Sequence, residues 1–347
     1  MSGVRRIGPL VGLVVAVVAL SGVGTSGAAA AGRFPCVVRN TSTHASYNSL
    51  GTAIAAASTW NALSIGGVCI GNWTVGKNLT LIAAGPVAVL ESGGEGSVLT
   101  VNEEARVAVR GLTITGGDYV SGGGVDNVNG DLTIANSIVT DNSAVYGGGI
   151  YNDANLNLVG TTVSNNEANA GGGIFNDLYG TATLSSNSSV DDNSSSVNGG
   201  GIDNLGGSVT LGQGSEVSDN SAGGGGGAPP FGCAIHADGC GDGGGIYMYG
   251  GTVTLNKTSR VDSNDAGYGG GIYDIDASVT LNDSSTISYN SADFGGGVYL
   301  FYGVVTLNQS SSISYNDASY GGGVVSVGGT VVNPSRVFDN IPTDIVG

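Results

Sequence analysis

The sequence predicts an all-β protein, a single-chain right-handed parallel β-helix with three short strands in each coil. One pattern is Gly-Gly-Gly followed by Ile or Val, which occurs eight times with steps of 25, 24, 28, 44, 26, 26 and 26 residues. A second pattern, Val or Ile followed by two residues and Asn, runs in phase with it. Self-similarity at 20 to 50 residues indicates stacked units that bury their apolar faces against one another. The triplets begin at Gly122, Gly147, Gly171, Gly199, Gly243, Gly269, Gly295 and Gly321, and the asparagines are Asn142, Asn166, Asn193, Asn220, Asn264, Asn290, Asn316 and Asn340.

Each repeat contains three segments in which apolar and polar residues alternate. In the unit that begins at Gly269 these are Gly-Ile-Tyr-Asp-Ile, Ser-Val-Thr-Leu and Thr-Ile-Ser-Tyr-Asn. Alternation is the period of a strand with one buried face. Glycine suits a sharp corner, and stacked asparagines can form a hydrogen-bonded ladder between coils. A β-propeller would need four strands in each blade and a longer repeat, so we favour the β-helix.

Residues 1–31 are predicted to be a signal peptide. Arg5 and Arg6 precede a nearly continuous apolar stretch, and Ala28–Ala31 fits a small-residue cleavage site. An uncleaved membrane anchor is the alternative, but the apolar stretch is short for a membrane span and contains Pro9. We therefore expect a β-helix domain over residues 32–347 with no membrane span after cleavage. It would be secreted, extracellular or associated with the cell envelope.

A capping helix is predicted over residues 46–63. Leu50, Ile54 and the Ala55–Ala57 run give this segment an apolar side. A helix that precedes the first strands would cover the open end of the coil stack, where edge backbone and core would otherwise face water.

The four cysteines of an exported chain predict two disulfides. Three connectivities are possible, and we expect Cys36 to pair with Cys69 and Cys233 with Cys240 because these pairs are local. The second pair falls in residues 223–242, an insertion that accounts for the 44-residue step. Loops on rigid scaffolds often carry function. The chain has only two histidines and no Cys-x-x-Cys, so no protein metal site is predicted.

The chain is acidic, with a formal net charge of −17, which becomes −19 once Arg5 and Arg6 are removed. Such a surface repels DNA, RNA and anionic lipid, so nucleic acid is not expected as a partner. It favours divalent cations, and calcium is a possible ligand although no cofactor is required. The alternative interpretation is that the acids keep a glycine-rich protein soluble.

The two in-phase patterns resemble the repeats of polymorphic outer membrane proteins and of other right-handed parallel β-helix proteins of the pectin-lyase-like class. The resemblance covers roughly residues 64–347. Those repeats carry Gly-Gly-Ala and Phe-x-x-Asn, whereas this chain has Gly149 or Gly271 in place of Ala and Val163 or Ile287 in place of Phe. The resemblance implies a β-helix with an adhesin-like or polysaccharide-related role, and it transfers no catalytic residue.

A calcium-assisted polysaccharide lyase is one alternative function. Such an enzyme needs clustered carboxylates and a cationic residue that takes a proton from the sugar acid. Lys257 and Arg260 share a coil with Asp262 and Asp265 and form the best candidate cluster. The other interpretation, a surface ion-pair patch, is favoured. We therefore expect a protein that is not an enzyme.

A column of outward aromatic residues is the best indication of binding. The residue after the inward Ile or Val is aromatic in five of eight coils, and stacked rings could form a platform for sugar rings or for a protein. Equally, the rings could stabilise the sheet by pairing between coils. The leading hypothesis is a non-enzymatic protein that binds a polysaccharide or a cell-surface protein through these residues: Tyr151, Phe175, Tyr247, Tyr273 and Tyr299.

A column of threonines suggests ice binding as a further alternative. Regular Thr on a flat β-helix face fits that function, although Thr is also a common exposed strand residue. The column comprises Thr133, Thr183, Thr210, Thr254, Thr280 and Thr306.

Overall fold

A computed structural model of the protein describes residues 34–223 and 241–347 as a parallel β-solenoid of about 10 turns. The predicted all-β fold is therefore confirmed. The predicted signal peptide and the predicted Cys233–Cys240 disulfide lie outside these residues, as does most of the predicted insertion. None of the helices in the described ranges is long and apolar enough to cross a membrane.

Three sheets run along the solenoid, although two of the three segments predicted in each repeat lie in the same sheet. The first has 11 strands, in the order Trp73–Val75, Leu99–Val101, Val125–Asn127, Ile150–Asn152, Ile174–Asn176, Ile202–Leu205, Ile246–Tyr249, Ile272–Ile275, Val298–Phe301, Val324–Val327 and Ile345–Val346. The second has eight strands, which are Asp118–Ser121, Ser143–Tyr146, Glu167–Ala170, Ser194–Asn198, Ser221–Ala222, Asp265–Tyr268, Ser291–Phe294 and Asp317–Tyr320.

The third sheet has 22 strands because most coils contribute two successive segments to it. Its first row contains Arg106–Arg110, Asp131–Ala135, Asn155–Val159, Thr181–Ser185, Ser208–Leu211, Thr252–Leu255, Ser278–Leu281, Val304–Leu307 and Thr330–Val332. Its second row contains Thr113–Thr115, Ile138–Thr140, Thr162–Ser164, Ser189–Asp191, Glu216–Ser218, Arg260–Asp262, Thr286–Ser288, Ser312–Ser314 and Val337–Phe338. The remaining strands of this sheet are Val37–Asn40, Ser46–Tyr47, Asn61–Ile70 and Leu79–Glu91.

The strands of the eight-stranded sheet were not distinguished in the sequence. In the coil of Gly269, for example, Ser291–Phe294 forms such a strand directly after the Asn290 turn. Its side chains are exposed or only partly buried, so it lacks the alternation that marked the other three segments.

Successive coils stack in register, so equivalent residues form columns. The inward residue after each glycine triplet pairs with its counterpart in the next coil, as Ile246 does with Ile272 and Ile272 with Val298. These side chains have no solvent-exposed area. Because no single coil could bury its apolar face alone, the stacking of coils creates the continuous core.

The regular spacing of the asparagines produces a buried ladder. Each side-chain amide nitrogen from Asn142 to Asn316 donates to the side-chain oxygen of the next asparagine, at 2.9 to 3.0 Å. The bond from Asn220 to Asn264 spans the 44-residue step, so the insertion leaves the coil stack unbroken. A second ladder runs from Asn127 to Asn204, at 2.7 to 2.8 Å.

The glycine triplets form the corners between the eight-stranded and the 11-stranded sheets. The first glycine has a left-handed backbone, with φ of +61° at Gly269. A Cβ atom on the third glycine, Gly271, would lie 2.5 Å from the carbonyl oxygen of Gly297 in the next coil. Close backbone approach therefore requires glycine here.

The predicted N-terminal helix is present but shorter, over Leu50–Ala56. Residues 46–47 form a strand instead, and the next strand begins at Asn61. Leu50, Ala53 and Ile54 are buried and join the main core. A 3₁₀ turn over Pro334–Arg336 is the other helical element in the part of the chain that the structure describes. The predicted disulfide between Cys36 and Cys69 is confirmed.

Candidate binding site

The five aromatic residues singled out in the sequence lie in one column on the 11-stranded sheet. Their rings form two separate stacks. Tyr151 and Phe175 stack with ring centroids 5.6 Å apart and planes 6° from parallel. Tyr247 stacks on Tyr273 at 5.6 Å, and Tyr273 stacks on Tyr299 at 5.2 Å. The register of the strands therefore brings these residues together as the sequence indicates.

Most of these rings are covered. Phe175 and Tyr299 are each 7% exposed and Tyr273 is 1% exposed, whereas Tyr151 and Tyr247 are partly buried. Rings whose faces contact neighbouring rings stabilise the sheet, which is the second interpretation offered above. The stacks thus do not form a continuous open platform, and the binding role of the five residues remains a prediction.

Asp203 separates the two stacks. It occupies the same outward column, paired in register with Phe175 in the preceding coil and with Tyr247 in the following coil. Neighbouring strands lie about 4.8 Å apart, so Phe175 and Tyr247 are roughly 10 Å apart along the column. Between Tyr151 and Tyr299, this is the one coil whose column position is not aromatic.

A groove of about 500 Å³ opens at this interruption. We call it the Asp203 groove. Its walls come from both the 11-stranded and the eight-stranded sheet, and most of its lining is apolar. The lining residues are Val145, Tyr146, Asn169, Ala170, Phe175, Val197, Asn198, Asp203, Leu205, Tyr247 and Tyr249.

The aromatic residues of the groove meet edge to face as well as in stacks. The ring of Tyr146, from the eight-stranded sheet, lies edge-on to Phe175 with the centroids 5.2 Å apart. Tyr146 and Tyr249 are both exposed, so their rings are accessible to a ligand. The groove therefore offers aromatic surface from two sheets around one carboxyl group.

The Asp203 side chain is buried, with 4% exposure, although it contributes to the groove lining. Burial, with a smaller contribution from the charge of Asp177, raises the pKa of the carboxyl to about 8. No hydrogen bond to the Asp203 carboxyl is found within residues 34–223 and 241–347. A carboxyl that is protonated near neutral pH can donate a hydrogen bond to a ligand.

Asp177 contacts the aromatic residue that precedes Phe175 in the column, Tyr151. The Tyr151 hydroxyl donates a short hydrogen bond to the Asp177 carboxylate. Burial and this bond raise the pKa of Tyr151, so the hydroxyl stays protonated and acts as the donor.

The groove lies beside the coil from which the insertion departs. The backbone N–H of Gly223 donates to Ser195 at 2.9 Å, and that of Asp242 donates to the groove residue Val197 at 3.2 Å. Burial also raises the pKa of Asp242, to about 7. The position at which the repeat is interrupted in the sequence thus adjoins the groove.

The candidate catalytic cluster is not assembled as one site. Arg260 pairs with Glu216 of the preceding coil at 2.6 Å and with Asp262 at 3.8 Å. Lys257 lies in an exposed turn, and Asp265 belongs to the eight-stranded sheet rather than to the strand of Arg260. This arrangement matches the surface ion-pair patch considered above.

The threonine column is in register on the first row of the 22-stranded sheet. Thr210, Thr254, Thr280 and Thr306 pair directly in successive coils. Asn157 takes the place of Thr between Thr133 and Thr183.

Sequence reasoning did not identify Asp203 or Tyr249 as site residues. The sequence feature that could have indicated the site is the interruption of the aromatic column, since Asp203 follows the inward Ile202 just as Tyr247 follows Ile246. What the sequence did not show was that Tyr146 and Tyr249 surround this gap from two different sheets.

No group of three or more His, Cys, Asp or Glu side chains that could hold a metal ion is found among the residues described by the structure. Comparison of the chain with protein-family models, with curated proteins and with solved structures returned no match.

Proposed function

We propose that the protein is an exported, non-enzymatic β-solenoid that binds a glycan in the Asp203 groove, in an adhesin-like or cell-envelope role. The observation that carries this proposal is the missing ring between Phe175 and Tyr247. A sugar ring that enters there would restore the continuity of the column.

Sugar rings bind proteins through two kinds of contact that the groove offers together. The apolar face of a pyranose packs against aromatic side chains, which contribute large contact area at low entropic cost. Its hydroxyls need polar partners, and the groove supplies the Asp203 carboxyl with the side-chain amides of Asn169 and Asn198. A mostly apolar concave site with a few polar groups is the usual form of a small-molecule site.

Two further features support an exported protein with this role. The Cys36–Cys69 disulfide fits an oxidising compartment. The resemblance of the repeats to those of polymorphic outer membrane proteins supports an adhesin-like surface function.

A glycan array followed by calorimetric titration tests the proposal. We expect binding that falls at least tenfold in Tyr247→Ser, because the variant removes one wall of the groove. Tyr302→Ser is the matched control, since Tyr302 is an exposed tyrosine on a later coil and outside the groove. Equal glycan binding by wild type and Tyr247→Ser would contradict the proposal.

A second candidate function rests on the threonine column. Thr183 to Thr306 lie in register in five successive coils and expose part of each side chain. We propose ice binding as the alternative for this face. A thermal-hysteresis measurement tests it, and we expect Thr254→Tyr to abolish any activity because a bulky ring breaks the flat face.

A further inference from the structure

The Asp203 groove combines aromatic surface with one buried acid. Phe175 and Tyr247 flank Asp203 along the column, while Tyr146 and Tyr249 contribute from the edges of the groove. The face of an aromatic ring carries negative electrostatic potential and attracts cations. A ring of aromatic side chains around a carboxyl group therefore favours a positively charged ligand group over a neutral one.

The charges around the groove have the same sign. Among the residues that the structure describes, Asp203 is the only acidic or basic residue in the lining. Burial, with a smaller contribution from Asp177, raises the pKa of Asp203, and burial, with smaller contributions from Asp203 and Asp242, raises that of Tyr247. With a net charge of −17, the whole protein opposes binding of an anionic sugar.

We propose that the sugar bound in the Asp203 groove carries a free amine, so that its ammonium group lies against the Asp203 carboxylate and the surrounding rings. This inference rests on the proposed glycan binding and specifies its ligand class as amino sugars. The free-amine form of a glucosamine chain fits this class, whereas the N-acetylated form lacks the charge.

Proton balance follows from the state of Asp203 in the free protein. Its carboxyl holds a proton at pH 6, because its pKa is about 8. When an ammonium ion enters, the carboxyl loses this proton to the solvent and the resulting carboxylate pairs with the cation. The amine keeps its own proton throughout. Binding at pH 6 therefore releases about one proton for each site.

Other titratable side chains also lie near the site. They are those of Asp177 and Asp242, together with those of Tyr146, Tyr247 and Tyr249; burial raises the pKa of Tyr247, so its hydroxyl keeps its proton at pH 6. Burial raises the pKa of Asp242 to about 7, so the Asp203→Asn variant separates its contribution from that of Asp203.

The experiment titrates the full-length protein with glucosamine oligomers and with N-acetylglucosamine oligomers of equal length. Measurements at pH 6 in two buffers of different ionisation enthalpy give the number of protons released. We expect the free-amine oligomer to bind at least tenfold more tightly and to release about one proton. In Asp203→Asn we expect that affinity to fall at least tenfold, and both the Asp203 proton and the preference for the free-amine oligomer to be lost.

Each other outcome overturns the inference. Equal affinity for the two oligomers, or a preference for the acetylated one, leaves glycan binding intact and refutes the role of the ammonium group. Absence of binding by both oligomers refutes the amino-sugar assignment, and the glycan array then decides separately on the proposed function. The oligomer comparison and the proton count use the wild-type protein, so they remain decisive even where Asp203→Asn fails to fold.

Discussion

Replacement of Asn264 by alanine tests whether the buried asparagine ladder stabilises the coil stack. The side-chain amide of Asn264 donates to Asn290 at 2.9 Å and to the carbonyl oxygens of Val217 and Asp262 at 3.0 Å. Its oxygen accepts from the backbone and the side chain of Asn220, both at 3.0 Å. Asn264 is only 1% exposed.

The expected loss of unfolding free energy follows from the polar groups that lose their hydrogen-bond partners. In Asn264→Ala the backbone N–H of Asn220 loses its acceptor, and an unpaired buried polar group costs about 1 to 3 kcal/mol. Loss of the remaining bonds adds about 1 kcal/mol. We therefore expect the free energy of unfolding to fall by about 3 kcal/mol.

Asn282→Ala is the matched control. Asn282 belongs to a partly exposed ladder in which its side chain bonds Asn256 and Asn308, both at 3.0 Å. Water can replace these bonds, so we expect a loss below about 1 kcal/mol. Urea unfolding followed by far-ultraviolet circular dichroism measures both midpoints. If Asn282→Ala lowers the midpoint as much as Asn264→Ala does, the ladder has no special stabilising role.

Three further predictions concern backbone packing, pH and the disulfide. Gly271→Ala should lower the melting temperature by several degrees, since its Cβ meets backbone at 2.5 Å, whereas Gly85→Ala, with open space around it, should be nearly neutral. The raised pKa of Asp203 means that the folded state binds a proton that the unfolded state has lost between about pH 4 and 8. This contribution to stability is present below pH 4 and lost as the pH rises through 8, so Asp203→Asn should gain stability relative to wild type by up to about 1.4 kcal/mol per pH unit. Urea unfolding at pH 5, 7 and 9 measures this, and a difference that does not change with pH would contradict it. Removal of the Cys36–Cys69 disulfide, which closes a sequence separation of 33 residues, should cost about 3 to 4 kcal/mol in urea unfolding, and full stability of the double serine variant would exclude this contribution.

The repeat made most of the fold predictable. The inward residues, the glycine corners and the asparagine ladder follow directly from a period of about 25 residues, because in-register parallel stacking places each residue against its counterpart one repeat away. The disulfide between Cys36 and Cys69 was predictable because the two cysteines are local in the sequence.

Other features were not predictable from the pattern. The helix proved shorter than 46–63 because its flanking residues are used in strands, which local propensity does not report. Lys257 and Arg260 are close in sequence, yet Lys257 lies in an exposed turn, whereas the Arg260 side chain forms an ion pair with Glu216 in the preceding coil. Proximity in the chain was a poor guide to side-chain direction here.

The candidate site also has one part that the sequence predicts and another that it does not. The column that contains Phe175, Asp203 and Tyr247 follows from the repeat, since all three residues occupy the same position in it. The contact of Tyr146, from another sheet, with this column and the burial of Asp203 are seen only in the three-dimensional structure. The residues that are neighbours along the column are one repeat apart, so the repeat length in the sequence identifies them. Neighbours across a corner depend on how each coil bends, and burial depends on every side chain that packs around the carboxyl.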